Sequence, residues 1–233
     1  MRIARYLAQA GITSRRKAEV LVKKGLVKVN GVTIRDLFFQ VDPKNDKVFL
    51  SGKLVAIDKN RIYIILYKPR GYLTASSDKY RRPLVKNLLK DIKQRLFPVG
   101  RLDFDSEGLL IMTNDGELTY RLTHPKYGVE KEYIVWLDNS PGEELESLLQ
   151  GINVGEDFLK AEEVERLKDK KIRIILKEGK KREIRRMLGE LGYKVKRLKR
   201  IREGPIHLGR LKPGQYRLLN KKEINSLREY AGL

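Results

Sequence analysis

Residues 100–116 read Gly100-Arg101-Leu102-Asp103-Phe104-Asp105-Ser106-Glu107-Gly108-Leu109-Leu110-Ile111-Met112-Thr113-Asn114-Asp115-Gly116, and no other stretch restricts the fold as much. Three carboxylates at alternate positions run into an apolar segment, Leu109 to Met112, which an Asn-Asp-Gly turn closes. An apolar run this short between turn signals reads as a buried strand. Such a strand holds a loop carboxylate rigidly at a domain's core.

Several chemistries fit that pattern. Asp103, Asp105 and Glu107 serve equally well as solvated turn formers, the ordinary use of acidic loop residues. Asp-x-Asp-x-Glu-Gly also matches the opening of a calcium-binding EF-hand loop, but the bidentate glutamate at its twelfth position is replaced by Asn114, and no helical pair flanks it. A glycosidase pair at Asp103 and Asp105 is disfavoured, because residues two apart rarely flank one bond from opposite sides.

With 233 residues there is material for one large domain and a small one, each with its own core. Fifty-one Lys and Arg against 30 Asp and Glu give a net charge of +21, which predicts a polyanionic partner, nucleic acid first. No apolar run approaches the ~20 residues that span a bilayer, and the N-terminus lacks a signal-peptide core. The expectation is a cytoplasmic monomer with no membrane association. With no cysteine and only His124 and His207, thiolate chemistry is excluded and a histidine-rich metal site is implausible, so neither metal nor cofactor is expected. Abundant Lys, Arg and Glu is a weak thermophile signal.

Along the chain, residues 1–58 read as a compact unit. A short helix over 2–10 stops at Gly11, and Thr13 or Ser14 caps a second through Lys24. Ala18, Leu21 and Val22 form the inner face of that second helix; Arg15, Arg16, Lys17, Lys23 and Lys24 form the other. Asn30-Gly31 then joins two strands as a hairpin. The succession Arg-x-Leu, Gly-Ile-x-Ser-Arg-Arg-x-Ala and Gly-x-Val-x-Val-Asn-Gly resembles the S4 (αL-type) RNA-binding domain. A basic run is ordinarily a solvated face. Arg15 and Arg16, however, sit at a helix N-terminus, where cations oppose the macrodipole unless a phosphate takes them up. Arg2 and Arg5 join them as expected RNA contacts.

Lys59-Asn60 reads as a linker, and residues 60–233 as a second domain. Strands are expected at 62–67, 109–112, 129–137, near Asn153, at 171–177 and at 194–201. Helices are expected at 83–92, from a Ser140 to Glu143 capping box to Gln150, from the basic run at 178–188 through Gly192, and at 221–230 behind Asn220 and Glu223.

The Gly-Arg-Leu-Asp, Gly-Leu-Leu and Thr-Asn-Asp-Gly sequence resembles the signature of RNA pseudouridine synthases, in the RsuA and RluB branch that modifies ribosomal RNA. Lys68-Pro69-Arg70-Gly71 resembles that family's Asn-Lys-Pro-x-Gly segment, with Tyr67 in place of Asn. Lys131-Glu132-Tyr133 resembles its Lys-x-Tyr motif, and Gly179 to Arg186 its third motif, with Lys181 where Asn is usual. The resemblance implies an α+β protein: a small S4 domain, then a catalytic domain on a mixed, mainly antiparallel sheet. It implies Asp103 as the catalytic residue, Tyr133 against the target uracil and Arg185 paired with Asp103. Arg101, Lys181, Arg182 and Arg186 are expected to meet RNA. From pattern alone Tyr133 is better explained as a core aromatic on an amphipathic strand, and only the resemblance reverses that order. The reaction implied is isomerisation of a uridine in ribosomal RNA or a pre-ribosomal particle, more readily of the large subunit. The rival reading is a non-catalytic S4-type RNA-binding or ribosome-assembly factor.

Overall fold

A computed structural model describes residues 1–58 and 60–233; Lys59, part of the expected linker, lies outside them. The chain divides into two compact units. The first comprises Met1–Ile62 with Ile92–Leu96 and Asn114–Gly116, the second Tyr63–Asp91, Phe97–Thr113 and Glu117–Leu233.

In the first unit, helices α1 (Ile3–Gln9) and α2 (Arg15–Lys23) cover strands β1 (Val27–Val29), β2 (Val32–Ile34), β3 (Val48–Leu50) and β4 (Lys53–Val55), ordered β2-β1-β3-β4. Ser14 Oγ caps α2 by accepting from the Lys17 amide at 3.3 Å. Asn30 and Gly31 both hold positive φ, 48° and 87°, as the expected hairpin turn requires. Ile3, Leu7, Ala18, Val22, Val27 and Val48 are fully buried between the layers. Arg5, Arg15, Arg16, Lys17, Lys23 and Lys24 stay exposed, and among the described residues none of them has an ion-pair partner.

The second unit starts with β5 (Tyr63–Lys68), β6 (Phe97–Pro98) and β7 (Glu107–Thr113), then α3 (Gly116–Thr123) and β8 (Lys131–Leu137). Helix α4 (Ser147–Gln150) precedes the hairpin of β9 (Ile152–Val154) and β10 (Asp157–Leu159), and β11 (Glu163–Leu167) and β12 (Lys171–Leu176) follow. Helix α5 (Glu183–Glu190), β13 (Val195–Glu203), β14 (Ile206–His207), β15 (Tyr216–Leu218) and α6 (Lys221–Tyr230) complete it. The main sheet runs β11-β12-β8-β13-β7-β5-β15, with β6 on β7 and β14 on β13. Every pairing is antiparallel except β13 with β7, so the sheet is mixed and mainly antiparallel as expected. Strands β5 and β7 are buried along their whole length, with Leu118 and Leu122 of α3 and Leu227 of α6 in the core beside them.

Two expectations are corrected, and two strands go unread. Residues 83–92 form only a 3₁₀ turn, Val85–Leu88, because Leu73 and Leu84 form a β-bridge that keeps the start of the segment extended. The capping box at Ser140 does not form. Tyr193 takes up Glu144 and the Gly142 amide, leaving a 3₁₀ turn, Glu143–Glu146, before the single turn of α4. Strand β10 is only three residues long, and in β11 Val164 and Leu167 do not alternate, so neither is read from sequence. The Asn220 and Glu223 capping box is present as read.

One transverse row of the sheet sets the positions of the residues around Asp103. Lys68 of β5 pairs with Gly108 of β7, Gly108 with Arg200 of β13, and Arg200 with Tyr133 of β8. Gly108 holds φ 107°, and a side chain there would collide with the Arg200 backbone. Gly108→Ala is therefore expected to cost more than about 3 kcal/mol, combining backbone strain with a broken strand pairing. Urea unfolding of the two proteins measures it, and a loss below ~1 kcal/mol, on the scale of ordinary surface changes, would contradict this account of the row.

Candidate active site

The loop between β6 and β7 carries Asp103, and a buried cation holds its backbone. Lys68, with no exposed surface, donates from Nζ to the carbonyls of Ser106 at 2.6 Å, Asp103 at 2.9 Å and Pro69 at 3.1 Å. An ammonium has three donors and no acceptor, so it can satisfy three converging carbonyls. Burial lowers the Lys68 pKa to about 8, although Asp103, Asp105 and Glu107 all pull it upward.

A cavity of about 90 Å³ opens beside this loop. Asp103, Tyr133, Leu176, Ile184 and Leu198 line it, with Arg101, Lys181 and Arg182 adding positive charge. A larger chamber of about 590 Å³ shares Tyr133, Arg101 and Lys181 as wall and reaches His124 and Lys131. Asp103 is half-buried, and among the described residues its carboxylate has no ion-pair partner. Its charge nonetheless acts on Arg182 and Arg185.

The resemblance implies that Arg185 pairs with Asp103; in the structure it pairs with Asp105 instead. Its Nη2 lies 3.2 Å from both the Asp105 carboxylate and the Asp105 carbonyl, and Nη1 donates to the Val195 carbonyl at 3.0 Å. Arg182 adds two bonds of 3.1 Å to the same carboxylate. Burial pushes the Asp105 carboxyl up, but the two arginines outweigh it and hold it below the usual range. Arg186 is likewise committed elsewhere, bonding Asp157 and the Val154 carbonyl at 2.8 Å each. Arg101 and Lys181 have no ion-pair partner among the described residues.

Tyr133 is 8% exposed, and its hydroxyl interacts with Arg200 across the strand pair. Arg200, itself 1% exposed, donates from Nε to the Leu109 carbonyl at 2.8 Å and lies 3.1 Å from the fully buried Glu203. Burial raises the Tyr133 pKa; Arg200 opposes that, while Glu203 and Glu183 reinforce it. Among the described residues no group of three His, Asp or Glu side chains gathers as a metal site.

The RNA pseudouridylate synthase family model matches residues 62–190. The chain belongs to the RNA pseudouridine synthases. An S4 domain model matches residues 1–48 of the synthase. It is 44% identical to a protein of Aquifex aeolicus (strain VF5) named an uncharacterized RNA pseudouridine synthase, over 100% of this chain and 96% of that one. Identity to ribosomal large subunit pseudouridine synthase B of Bacillus subtilis (strain 168) is 38%, over 99% and 96% of the two chains. A crystal structure of pseudouridylate synthase superposes with a TM-score of 0.71 at 28% identity, covering 97% of this chain and 99% of that one.

Sequence reasoning brought Asp103 and Tyr133 forward, and the fold places both on one cavity. It missed Lys68, read only as part of a motif, and Arg200, read as one cation of a basic strand. A lysine at the end of an otherwise apolar strand was the available signal for the first. Lys68→Met is expected to lower turnover about 10-fold or more by freeing the loop. The folded Lys68 pKa of about 8 lies below its ordinary 10.5, so the unfolded chain binds more protons between these values and the Lys68 contribution to stability rises with pH across that window. Melting temperatures of wild type and Lys68→Met should therefore diverge in favour of wild type as pH rises from about 8 towards 10.5; parallel curves would contradict the burial of a titrating ammonium.

Proposed function

We propose that this synthase converts a uridine of ribosomal RNA, in the large subunit, to pseudouridine. Asp103 would react at the ribose, Tyr133 would lie against the base and Arg185 would position the loop. The observation that carries this is the juxtaposition of Asp103 and Tyr133 on one cationic cavity. The name of the Bacillus subtilis relative supports the choice of ribosomal subunit. A factor that only bound RNA would need no carboxylate facing a basic cavity.

The reaction balances without a further reactant. The N1–C1′ bond breaks, the base rotates, C5 bonds to C1′, the C5 proton leaves and N1 gains one. Asp103 either attacks C1′ or removes a ribose proton to form a glycal, and in both cases it acts ionised. The uridine must leave its stack to reach the cavity, at a cost of a few kcal/mol. Tyr133, as phenolate, would accept the C5 proton. Arg185 works through Asp105: with Arg182 it anchors the loop, and its charge also reaches Asp103. Arg101 and Lys181 at the rim, and Arg2, Arg5, Arg15, Arg16, Lys17, Lys23 and Lys24 of the S4 unit, would take phosphates.

Asp103→Asn keeps size and turn geometry while removing the reactive charge. It is expected to abolish pseudouridine formation in ribosomal RNA, with RNA affinity within a few-fold of wild type and an unchanged melting temperature. Pseudouridine mapping beside filter binding decides it, and full activity would defeat the assignment.

The pH profile tests Tyr133. A phenolate base makes single-turnover rates rise with pH until Tyr133 ionises. Arg200 favours that ionisation and Glu203 opposes it, with Lys131 on the same strand and Glu183 from α5 as the other neighbouring charges. Arg200→Gln should move the rising limb to higher pH and Glu203→Gln to lower pH. Two profiles lowered in height but unmoved would show that the pair is only architectural.

A further inference from the structure

Two exposed aromatic rings stand on the loop that carries Asp103 and on the segment bound to that loop. Phe104, the residue after Asp103, is 42% exposed, and Tyr80, on the segment between β5 and β6, is 67% exposed. Arg82 lies near both, its guanidinium carbon 5.3 Å from the Tyr80 ring centre and 6.0 Å from that of Phe104. Asp78 fixes it there, accepting from Nη2 at 2.7 Å and from Nε at 3.2 Å. The same carboxylate accepts from the Tyr80 and Arg82 amides at 3.0 Å each, so the turn that presents the ring is itself tied down.

The platform is built onto the catalytic loop. The Gly71 amide donates to the Phe104 carbonyl at 2.8 Å, and Thr74 Oγ1 donates to the Leu102 carbonyl at 2.9 Å, one residue on either side of Asp103. Asp78 neutralises the guanidinium, which makes Arg82 a planar spacer between rings rather than a free phosphate ligand. Lys79, 4.8 Å above the Tyr80 ring and without an ion-pair partner among the described residues, supplies the unneutralised charge.

We infer that Tyr80, Arg82 and Phe104 form a stacking site for an unpaired nucleobase of the substrate RNA, that of the nucleotide next to the target uridine. The inference rests on the pseudouridine synthase reading of the Asp103 cavity. A uridine drawn from its stack leaves a neighbouring base face uncovered, and Phe104, one residue from Asp103, with Arg82 and Tyr80 beyond it, is placed to cover it. Stacking of this kind accepts any base, because every base has a π-face, so the site contributes affinity and register rather than a base code. Lys79 would meet the phosphate of the same nucleotide.

The test replaces Tyr80 with the photoreactive p-benzoylphenylalanine in the full chain and irradiates it with large-subunit ribosomal RNA transcript. The crosslinked nucleotide and the pseudouridine are then mapped on the same RNA. The expected crosslink falls on the nucleotide beside the pseudouridine or the one beyond it. Tyr80→Ala should weaken binding of that transcript about 5- to 150-fold, the range of one stacked base, with Tyr80→Trp restoring it. A crosslink elsewhere overturns the inference whatever the affinities show, and so does the absence of a crosslink together with unchanged Tyr80→Ala binding. If wild type forms no pseudouridine in ribosomal RNA, the proposed function fails first and takes the stacking site with it.

Discussion

The buried ammonium of Lys68 is the interaction on which the catalytic unit depends. The turn from Asp103 to Ser106 directs carbonyls inward, and buried carbonyls without donors would each lose a hydrogen bond that water had provided. Lys68 meets them because β5 pairs with β7 in a register that sets it opposite Gly108, at the foot of the turn. The missing side chain at Gly108 lets the β13 backbone close in from the other side. Asp103 is thus referenced to the sheet through one strand pairing and Tyr133 through two more along the same row. A site placed by sheet register rather than by a loop's own conformation holds the tolerance that bond rearrangement needs.

The same row explains how a strand as basic as β13 can cross the middle of a sheet. In a regular strand Arg200 and Arg202 would point to one face. A bulge between them pairs Arg200 with Tyr133 and Arg202 with Glu132, consecutive residues of β8 that face opposite ways. Arg200 turns inward to Glu203 and Tyr133, while Arg202 joins Arg173 on Glu132, at 2.6 and 2.7 Å. A second irregularity, between Val195 and Arg197, brings the Arg197 guanidinium over Trp136 at 4.5 Å. Poor alternation in the sequence of β13 was therefore information: the strand changes phase where its arginines must be sorted.

What was legible in the sequence was mostly local. Ser14 capping α2, the Asn30-Gly31 hairpin and the Asn220 to Glu223 capping box each involve groups within a few residues of one another. The failures came where a distant group won the competition: Leu73 over a helix at 83–92, and Tyr193 over the Ser140 box. The site divides in the same way. Asp103 and Tyr133 were visible through motifs, whereas the exchange of Asp103 for Asp105 as the partner of Arg185 joins residues 80 apart and depends on how α5 meets the loop.

That exchange also separates the cations of this basic chain into two populations. Arg182, Arg185, Arg186, Arg197, Arg200 and Arg202 are paired with carboxylates, and they bind the strands and the loop to one another. Arg15, Arg16, Lys17, Lys23, Lys24, Arg101 and Lys181 are not ion-paired among the described residues. Under the proposed function, cations of the second kind are those from which an arriving phosphate would release counterions. The first kind sets geometry, and at its fully buried member, Arg200, burial also reduces screening by salt. Net charge therefore overstates how many free cations the chain offers: beside Asp103, Arg182 and Arg185 share the single carboxylate of Asp105, while Arg101 has no ion-pair partner among the described residues. Asp103 lines the cavity with no ion-pair partner among the described residues, and under the proposed function it is the carboxylate of that loop whose charge would act on the substrate.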